Sequence, residues 1–278
     1  MIIRIMKTPI QTHKATLETT GDGSTTLFSE PFQQPYHNRA GAASESGYLF
    51  LDMTGLRGVQ NLSNQSEKNP LYVLEIGFGT GLNMALLHEA LRNRSHPPLC
   101  HYYSVEGFPP DPSLINQMEY GMAGNSDPVS EIIRNTLEHA TTGWNDVAID
   151  ASFQLHLLVS RFEAFAADQS LSDSIPPIDL FFHDPFSPET NPEGWTPELF
   201  RRLRHLASED ALLSTYSASS RARAAMAEAG WCVARAPGAL NKREMTLASP
   251  NPDCLSRWKR VNESRLAERL RNGEFQML

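Results

Sequence analysis

Cysteine is scarce in this 278-residue sequence, and the three that occur are far apart. Cys100, Cys232 and Cys254 form no CxxC pair, so neither a zinc site nor a disulfide framework is indicated. Long apolar runs are missing too, whereas a helix needs roughly 20 apolar residues to cross a bilayer. The N-terminal residues lack the apolar length and the cleavage site of a signal peptide. We therefore expect a cytoplasmic protein that binds no metal.

Positive charge is also in deficit. The net charge of −8 argues against a broadly basic surface of the kind that binds nucleic acid. The basic residues are unevenly distributed, however, and the last third contains Arg201, Arg202, Arg204, Arg221, Arg223, Arg235, Lys242, Arg243, Arg257, Lys259 and Arg260. A local basic face is compatible with this pattern, and so are ordinary solvated helix faces.

From about residue 70 onward, strand-like and helix-like segments alternate. Strands are expected over residues 71–76, 100–105, 153–159, 178–183 and 211–216, and helices over residues 82–91, 197–206 and 219–229. Strands separated by helices predict a parallel sheet with right-handed crossovers. Residues 231–236 and 244–249 can close the sheet as an antiparallel hairpin.

The length suits one large α/β domain with an appendage. Residues 1–65 are expected to form a small N-terminal appendage of short strands and hairpins, with one strand at 48–51 and a polar linker over 58–70. Residues 66–278 then form the main domain. It carries an insertion at about 111–150, and a charged amphipathic helix is expected over 254–270.

A glycine-rich segment links the first strand of the main domain to the first helix. In Glu75-Ile-Gly77-Phe-Gly79-Thr-Gly81, the glycines allow a sharp turn and close approach of a ligand. This spacing, with an acid two positions before the first glycine, resembles motif I of methyltransferases that use S-adenosyl-L-methionine. Glu106 ends the next strand, where a carboxylate can accept ribose hydroxyls. A tight turn without a ligand and an exposed strand-end acid are the alternatives.

A second motif, His183-Asp184-Pro185-Phe186, follows the fourth strand. It resembles the [D/N]-P-P-[Y/F] loop of enzymes that methylate amines. A carboxylate there can orient the amine or take its proton, and an aromatic ring can pack against developing positive charge. We expect Asp184 to orient the amine or take its proton, with a structural Asp-Pro turn as the alternative. His183 is expected to be structural, because neighbours on a strand point to opposite faces.

Four longer segments resemble one family, the MnmC methyltransferase domain. Residues 179–195 (DLFFHDPFSPETNPEGW) are similar to its D-x-x-F-L-D-G-F-A-P-x-x-N-P-x-x-W segment. Residues 22–30, followed by Tyr-His at 36–37, are similar to its D-G-S-x-T-L-x-S-E and Y-H-S regions. Residues 75–83 resemble its G-F-G-T-G-L-N loop, and residues 242–245 resemble its K-R-E-M ending. The segments occur in the family's order between about residues 20 and 250.

The resemblance implies a Rossmann-like class I methyltransferase that uses S-adenosyl-L-methionine, with a mostly parallel seven-stranded sheet. It implies a tRNA substrate, in which 5-aminomethyl-2-thiouridine at the wobble position becomes 5-methylaminomethyl-2-thiouridine. Many family members also carry an FAD-dependent oxidase domain that makes the amine. This sequence has no second glycine fingerprint, so a separate protein is expected to supply the aminomethyl uridine.

The resemblance also implies roles for individual residues. Those implied for cofactor binding are Glu75, Gly77, Phe78, Gly79, Thr80, Gly81, Asn83 and Glu106. Asp184 and Phe186 correspond to the catalytic loop. Those implied to lie near the substrate are Tyr36, Trp195, Lys242 and Arg243.

Two positions depart from the family pattern. Pro185 replaces a glycine and fixes φ, and Ser160-Arg161 replaces the acid that usually lies near the adenine, with Glu163 as a weak substitute. Two other functions therefore stay open: a methyltransferase of a small amine or a protein, and a non-catalytic binding module. A positive face near Asp184 would favour RNA, whereas a closed pocket would favour a small molecule. The intact Asp184 loop favours catalysis.

Overall fold

The computed structural model describes residues 12, 14–57, 68–120, 128–240 and 242–275. Most of the polar linker expected over residues 58–70 lies outside them. The N-terminal part contains a three-stranded antiparallel sheet made of β1 (Ala15–Thr19), β2 (Thr25–Ser29) and β3 (Gln34–Pro35). These strands agree with the hairpins expected there. The division of the chain into an appendage and a main domain stays a prediction.

Helical structure follows β3, and the strand predicted at residues 48–51 is wrong. Helix α1 (Ala42–Ser46) continues into a π-helix (Gly47–Asp52). Leu49, Phe50 and Leu51 are all buried, and a short apolar run of this kind is compatible with a buried strand or a buried helix. The Ser214 hydroxyl donates a hydrogen bond to the Leu49 carbonyl (2.6 Å), so the π-helix is held against the central sheet.

Within the described residues the apolar core packs against both faces of the central sheet, which has nine strands. They are β4 (Leu71–Ile76), β5 (Cys100–Glu106), β6 (Gly143–Ala148), β7 (Phe153–Val159), β8 (Ile178–His183), β9 (Ala207–Thr215), β10 (Cys232–Pro237), β11 (Glu244–Ser249) and β12 (Lys259–Arg260). Their spatial order is β12-β10-β11-β9-β8-β4-β5-β7-β6. Strands β7, β5, β4, β8 and β9 are parallel neighbours. The predicted parallel sheet and closing β10–β11 hairpin are confirmed.

The seven expected strands form the sheet between β10 and β7, and one further strand lies at each edge. Strand β6 pairs antiparallel with β7, and β12 adds two residues to β10. Neither carries a clear apolar alternation, and neither contains a fully buried residue. The amphipathic pattern alone therefore did not reveal them.

Helices cover the strands and carry the expected end signals. They are α2 (Leu82–Arg92), α3 (Pro112–Ile115), α4 (Pro128–His139), α5 (Phe162–Ala167), α6 (Pro197–Leu206), α7 (Ser220–Glu228) and α8 (Glu263–Arg271). Thr196 and Ser219 cap α6 and α7 by accepting backbone N–H groups. The helix expected over 254–270 is wrong in its first half. A 3-10 turn (Pro252–Leu255) and β12 come first, and Asn262 caps α8.

The chain reverses direction across the sheet between β4 and β8. From β4 it proceeds through β5 to β7 on one side, and then returns to β8 and β9 on the other. Ligands in open α/β sheets bind at such a switch point, beside the carboxyl ends of the strands. Among the described residues, no helix combines the length and apolar character needed to span a membrane.

Candidate active site

The two predicted loops lie side by side at the switch point. Strands β4 and β8 are paired so that Ile76 lies opposite His183, and the Asp184 N–H donates to the Ile76 carbonyl (2.9 Å). Gly77 has a φ of +91°, and a Cβ there would lie 2.8 Å from the Asp184 carbonyl oxygen. The first glycine is therefore required by the neighbouring loop.

The other two loop glycines have different environments. Gly79, with a φ of +53°, would place a Cβ 3.0 Å from the Tyr36 ring. Gly81, with a φ of +79°, starts α2 and would place a Cβ 3.0 Å from Ile133 and Phe78. Thr80 is buried behind the loop, where its carbonyl accepts the Tyr120 hydroxyl (2.6 Å). Thr80 and Gly81 thus shape the loop from behind.

A cavity of about 380 Å³ lies between these loops and the N-terminal segment. This volume falls within the range of about 300–1,000 Å³ that is usual for small-ligand sites. The predicted site residues that line it are Tyr36, Gly77, Phe78, Gly79, Asn83, Glu106, Asp184, Phe186 and Lys242. Glu75, Thr80, Gly81, Trp195 and Arg243 are not among the lining residues.

Glu106 lines the cavity at the end of β5. Its carboxylate accepts the N–H groups of Gly79 (2.8 Å) and Phe108 (2.6 Å). Burial raises the pKa of Glu106, and these backbone N–H groups oppose the rise. The carboxylate therefore anchors the glycine loop to the end of β5 and presents an acceptor to the cavity.

Glu75, Asn83 and Asp184 form a hydrogen-bonded chain beneath the cavity. The Asn83 side-chain N–H₂ donates to Glu75 (2.9 Å) and to Asp184 (2.9 Å). Ser104 donates to the other Glu75 oxygen (2.9 Å). Glu75 is fully buried, and this burial raises its pKa to about 8. Glu75 therefore supports the two loops from below.

Asp184 is half-buried at the floor of the cavity. Burial raises the pKa of its carboxyl to about 7, the hydrogen bond from Asn83 opposes the rise, and the charges of Glu45 and Lys242 act in opposite directions. An aspartate with a pKa near neutrality can both accept and release a proton at physiological pH.

The backbone carbonyls of the Asp184 loop are directed at protein groups. The Pro185 carbonyl accepts the Tyr216 hydroxyl (2.9 Å), and the Phe186 carbonyl accepts the Trp195 indole N–H (2.8 Å). The Asp184 carbonyl faces Gly77. The acceptor that this loop offers to the cavity is therefore the Asp184 carboxylate.

The proline that departs from the family pattern, Pro185, packs against Gly194. A Cβ on Gly194 would lie 2.8 Å from the Pro185 Cβ, so the glycine leaves room for the pyrrolidine ring. Trp195 follows directly and is 3% exposed. Trp195 was expected near the substrate, and the structure places it under the loop.

Aromatic rings form one wall of the cavity. Phe186 stacks on Phe32 with ring centroids 4.4 Å apart, and the Tyr36 ring meets Phe186 edge-on at 4.9 Å. Phe32 also meets Phe108 edge-on at 5.3 Å. The N-terminal segment thus closes the carboxyl end of the sheet with rings that can pack against a cation or a base.

Three cationic side chains lie around the cavity. Lys242 pairs with Glu45 (2.8 Å) and lies 5.0 Å above the Tyr216 ring. Arg39 lines the cavity and pairs with Glu18. Arg161 replaces the expected acid, and its guanidinium lies 4.0 Å from the centre of the Phe108 ring.

The position at which the family pattern has an acid is therefore surrounded by rings and a cation. Phe108 and Phe162 line the cavity there. The Arg161 guanidinium also contacts Glu193 at 3.4 Å and Glu163 at 3.7 Å, so Glu163 bonds the arginine. Arg243 is exposed outside the cavity.

Sequence reasoning missed Phe32, Glu45, Phe108 and Tyr216. Tyr216 directly follows β9. Ligands in open α/β sheets bind beside the carboxyl ends of the strands, so this position could have been predicted. Phe32 lies between the segment at 22–30 and Tyr36, and Glu45 lies outside the motifs, but neither was assigned to the site. Only tertiary contacts bring them to the cavity.

Comparison with known proteins agrees with this architecture. Residues 127–251 match the model of a family described as S-adenosyl-L-methionine-dependent methyltransferase. The tRNA 5-methylaminomethyl-2-thiouridine biosynthesis bifunctional protein MnmC of Ralstonia nicotianae is 31% identical over 231 residues, which are 81% of this chain and 33% of that protein. MnmC of Cupriavidus necator is 30% identical over 235 residues, which are 84% of this chain and 33% of that protein.

The chain thus spans about a third of the length of these relatives. The crystal structure of MnmC2 from Aquifex aeolicus has the same fold, with a TM-score of 0.69 and 24% identity over 95% of this chain and 77% of that one. The predicted Rossmann-like class I fold is confirmed. By its motifs, its fold and these matches, the chain belongs to the MnmC-like family of S-adenosyl-L-methionine-dependent methyltransferases.

Proposed function

We propose that the chain transfers a methyl group from S-adenosyl-L-methionine to the aminomethyl nitrogen of a tRNA wobble uridine. The conversion is that of 5-aminomethyl-2-thiouridine to 5-methylaminomethyl-2-thiouridine. The observation that carries the proposal is the Asp184 carboxyl, which lies at the cavity floor and whose pKa burial raises to about 7. The names of the matched relatives, all concerned with this tRNA nucleoside, support the choice of substrate.

The cavity has the features that the cofactor requires. Gly79 leaves its side of the glycine loop open towards Tyr36, where a Cβ would intrude. The buried Glu106 carboxylate suits ribose hydroxyls, and the rings of Phe108 and Phe162 suit an adenine face. When bound, S-adenosyl-L-methionine supplies a methyl group on a sulfonium. An amine lone pair can attack this methyl carbon, and the thioether is the leaving group.

The chain must supply a proton acceptor, because an alkylammonium has no lone pair. An ordinary aspartate has a pKa of about 3.9 and is a weak base. Burial moves the pKa of Asp184 to about 7 and makes its carboxylate a stronger acceptor. Asn83 fixes the carboxylate through one hydrogen bond (2.9 Å). The Phe186 and Tyr36 rings lie beside the cavity, where they can stabilise positive charge on nitrogen.

The remaining assignments concern the RNA. Lys242 and Arg39 line the cavity, so a phosphate beside the flipped nucleoside can pair with them. The aminomethyl group must be present before this step, and the proposal assigns its production to a separate protein. The reaction belongs in the cytoplasm, where tRNA is modified.

The test is transfer of labelled methyl to bulk tRNA that carries the unmethylated aminomethyl uridine. Asp184→Asn keeps the shape of the side chain and an acceptor for Asn83 but cannot take a proton. It is expected to lower the rate by at least about 100-fold. Glu189→Gln removes an exposed carboxylate from the same loop and is expected to retain the wild-type rate.

Label at the wobble position that depends on Asp184 would support the proposal. Binding of S-adenosyl-L-methionine without label on any tRNA would contradict the RNA substrate. Candidate small amines would then be the next acceptors to try.

A further inference from the structure

A second cavity lies between α5 and α6, outside the active-site cavity. Its volume is about 280 Å³, and it is lined by Ala166, Gln169, Glu198, Arg201, Arg202 and His205. Most of its polar groups are hydrogen-bond donors or can become donors. None of these residues lines the active-site cavity.

Arg202 occupies a position that the helical repeat of α6 assigns to the core. Leu199 and Leu203 lie on the same face and are fully buried, and Arg202 itself is only 8% exposed. Burying a guanidinium is costly unless an anion or hydrogen bonds compensate. Within the part of the chain that the structure describes, the Arg202 Nε has no hydrogen-bond partner. Glu198, the acid of this cavity, pairs with Arg201 (3.2 Å).

A second buried arginine shows how this fold satisfies such a group internally. Arg223 is 4% exposed, and its Nε donates to the Thr246 hydroxyl (2.9 Å). Its two terminal nitrogens donate to Glu244 and to the Met245 carbonyl, both at 3.1 Å. Arg202 lacks such a set of partners and borders a cavity. The Arg202 Nε is therefore left for a partner that the described residues do not supply.

The donor groups of this cavity suit an oxyanion, and the carboxylate that lines it, Glu198, is paired with Arg201. Arginine presents several N–H groups in a planar fork that matches phosphate oxygens. His205 and Arg201 are exposed at its rim, and the Gln169 amide is a further donor. We propose that this cavity binds a phosphate group.

The position of the cavity indicates which phosphate it binds. Helix α6 begins after the 3-10 turn (Pro192–Trp195) that follows the Asp184 loop, and Arg161, which lies over Phe108, directly precedes α5. Arg202 lies five residues beyond Pro197, or roughly 7.5 Å along the helix axis. A backbone phosphate of the tRNA substrate then occupies this cavity while the wobble nucleoside occupies the active-site cavity. This assignment rests on the proposed function.

The phosphate site can be tested without any methyl transfer. The thermal midpoint of the full chain is measured with inorganic phosphate and with chloride at equal ionic strength. Phosphate is expected to raise the wild-type Tm in a saturable way, by mass action. Arg202→Met is expected to fold, because an apolar side chain suits this buried position beside Leu199 and Leu203, and to lose the rise. Lys259→Met removes one charge on β12 and is expected to keep it. An equal rise in wild type and Arg202→Met would overturn the site.

The RNA assignment is tested by the salt dependence of tRNA methylation. Arg202→Met is expected to raise KM for tRNA about tenfold with kcat unchanged, and to reduce the slope of log KM against log salt by about 1. His205→Ala, at an exposed position, should raise KM by a smaller factor. An unchanged KM and slope in Arg202→Met would overturn the RNA assignment. If wild type methylates no tRNA at all, the proposed function fails and the RNA assignment fails with it, whereas the phosphate titration still decides the anion site.

Discussion

Two carboxyl groups share the amide of Asn83 and yet differ in what they can do. Glu75 is fully buried and bonded to Ser104, whereas Asp184 is half-buried and borders the cavity. Burial raises the pKa of both, to about 8 and about 7. A raised pKa therefore does not by itself mark the reacting group. Access to the cavity separates a carboxyl that can exchange a proton with a substrate from one that supports a loop.

The largest expected effect is that of Glu75 on stability. The pKa of Glu75 is raised from 4.5 to about 8, so its contribution to stability is fully present below pH 4.5 and is lost as pH rises towards about 8. The slope for one such group is about 1.4 kcal/mol per pH unit. Glu75→Gln is expected to remove one such slope from the free energy of unfolding, measured with urea across this window.

The methyl-transfer rate of Glu75→Gln is the second measurement. Glu75→Gln should keep most of the methyl-transfer rate, because the substituted amide would stay beneath the loop and Asp184 would be untouched. A loss of rate as large as that of Asp184→Asn would break the distinction between the two carboxyls.

The shared amide is expected to have the next largest effect. Asn83→Ala removes the hydrogen bond that lowers the pKa of Asp184, so the rising limb of the rate profile should move to higher pH. A hydrogen bond to a charged group is worth about 1.5–3 kcal/mol, and kcat at neutral pH should fall at least about tenfold. Ser104→Ala removes a donor from Glu75 alone and should leave the profile in place. Equal profiles for both variants would contradict a positioning role for Asn83.

A smaller effect is expected from the Tyr216 hydroxyl, which donates a hydrogen bond to the backbone of the Asp184 loop. Tyr216→Phe removes the hydroxyl that donates to the Pro185 carbonyl (2.9 Å). One neutral hydrogen bond is worth about 1 kcal/mol, so steady-state kcat should fall about fivefold while the pH profile keeps its shape. A shift in the profile with kcat unchanged would show that the hydroxyl acts on the charge of Asp184.

The smallest effects should have opposite signs. The Glu45 charge raises the pKa of Asp184, and the Lys242 charge lowers it. Glu45→Gln should therefore move the midpoint of the kcat profile to lower pH, and Lys242→Met should move it to higher pH, each by less than about one unit. Both midpoints moving in the same direction would show that this ion pair acts on the site through structure.

Much of the fold followed from local patterns. The parallel strands, the capped helices and the closing hairpin each have a strong periodic or capping signal. The strand expected at 48–51 failed because a buried apolar run does not distinguish a strand from a helix. Strands β6 and β12 were missed because edge strands of mixed polarity have no such signal.

The site could be predicted only where its residues lie in motifs. The pattern around Glu75 identified the loop, but every residue from Val73 to Ile76 is buried, so alternation could not show which way the carboxyl points. Trp195 lies in a recognisable segment, and its place beneath the loop depends on a contact with Phe186. The aromatic wall that includes Phe32 depends on the fold of the N-terminal segment, which no local pattern describes.

The most direct test of the central claim is the single-turnover rate of methyl transfer to tRNA as a function of pH. We expect the wild-type rate to rise through a limb near neutrality, as Asp184 loses its proton, and we expect Asp184→Asn to lack both this limb and most of the rate. A wild-type rate that is flat through neutrality, or a limb that persists in Asp184→Asn, would contradict the assignment of Asp184 as the proton acceptor.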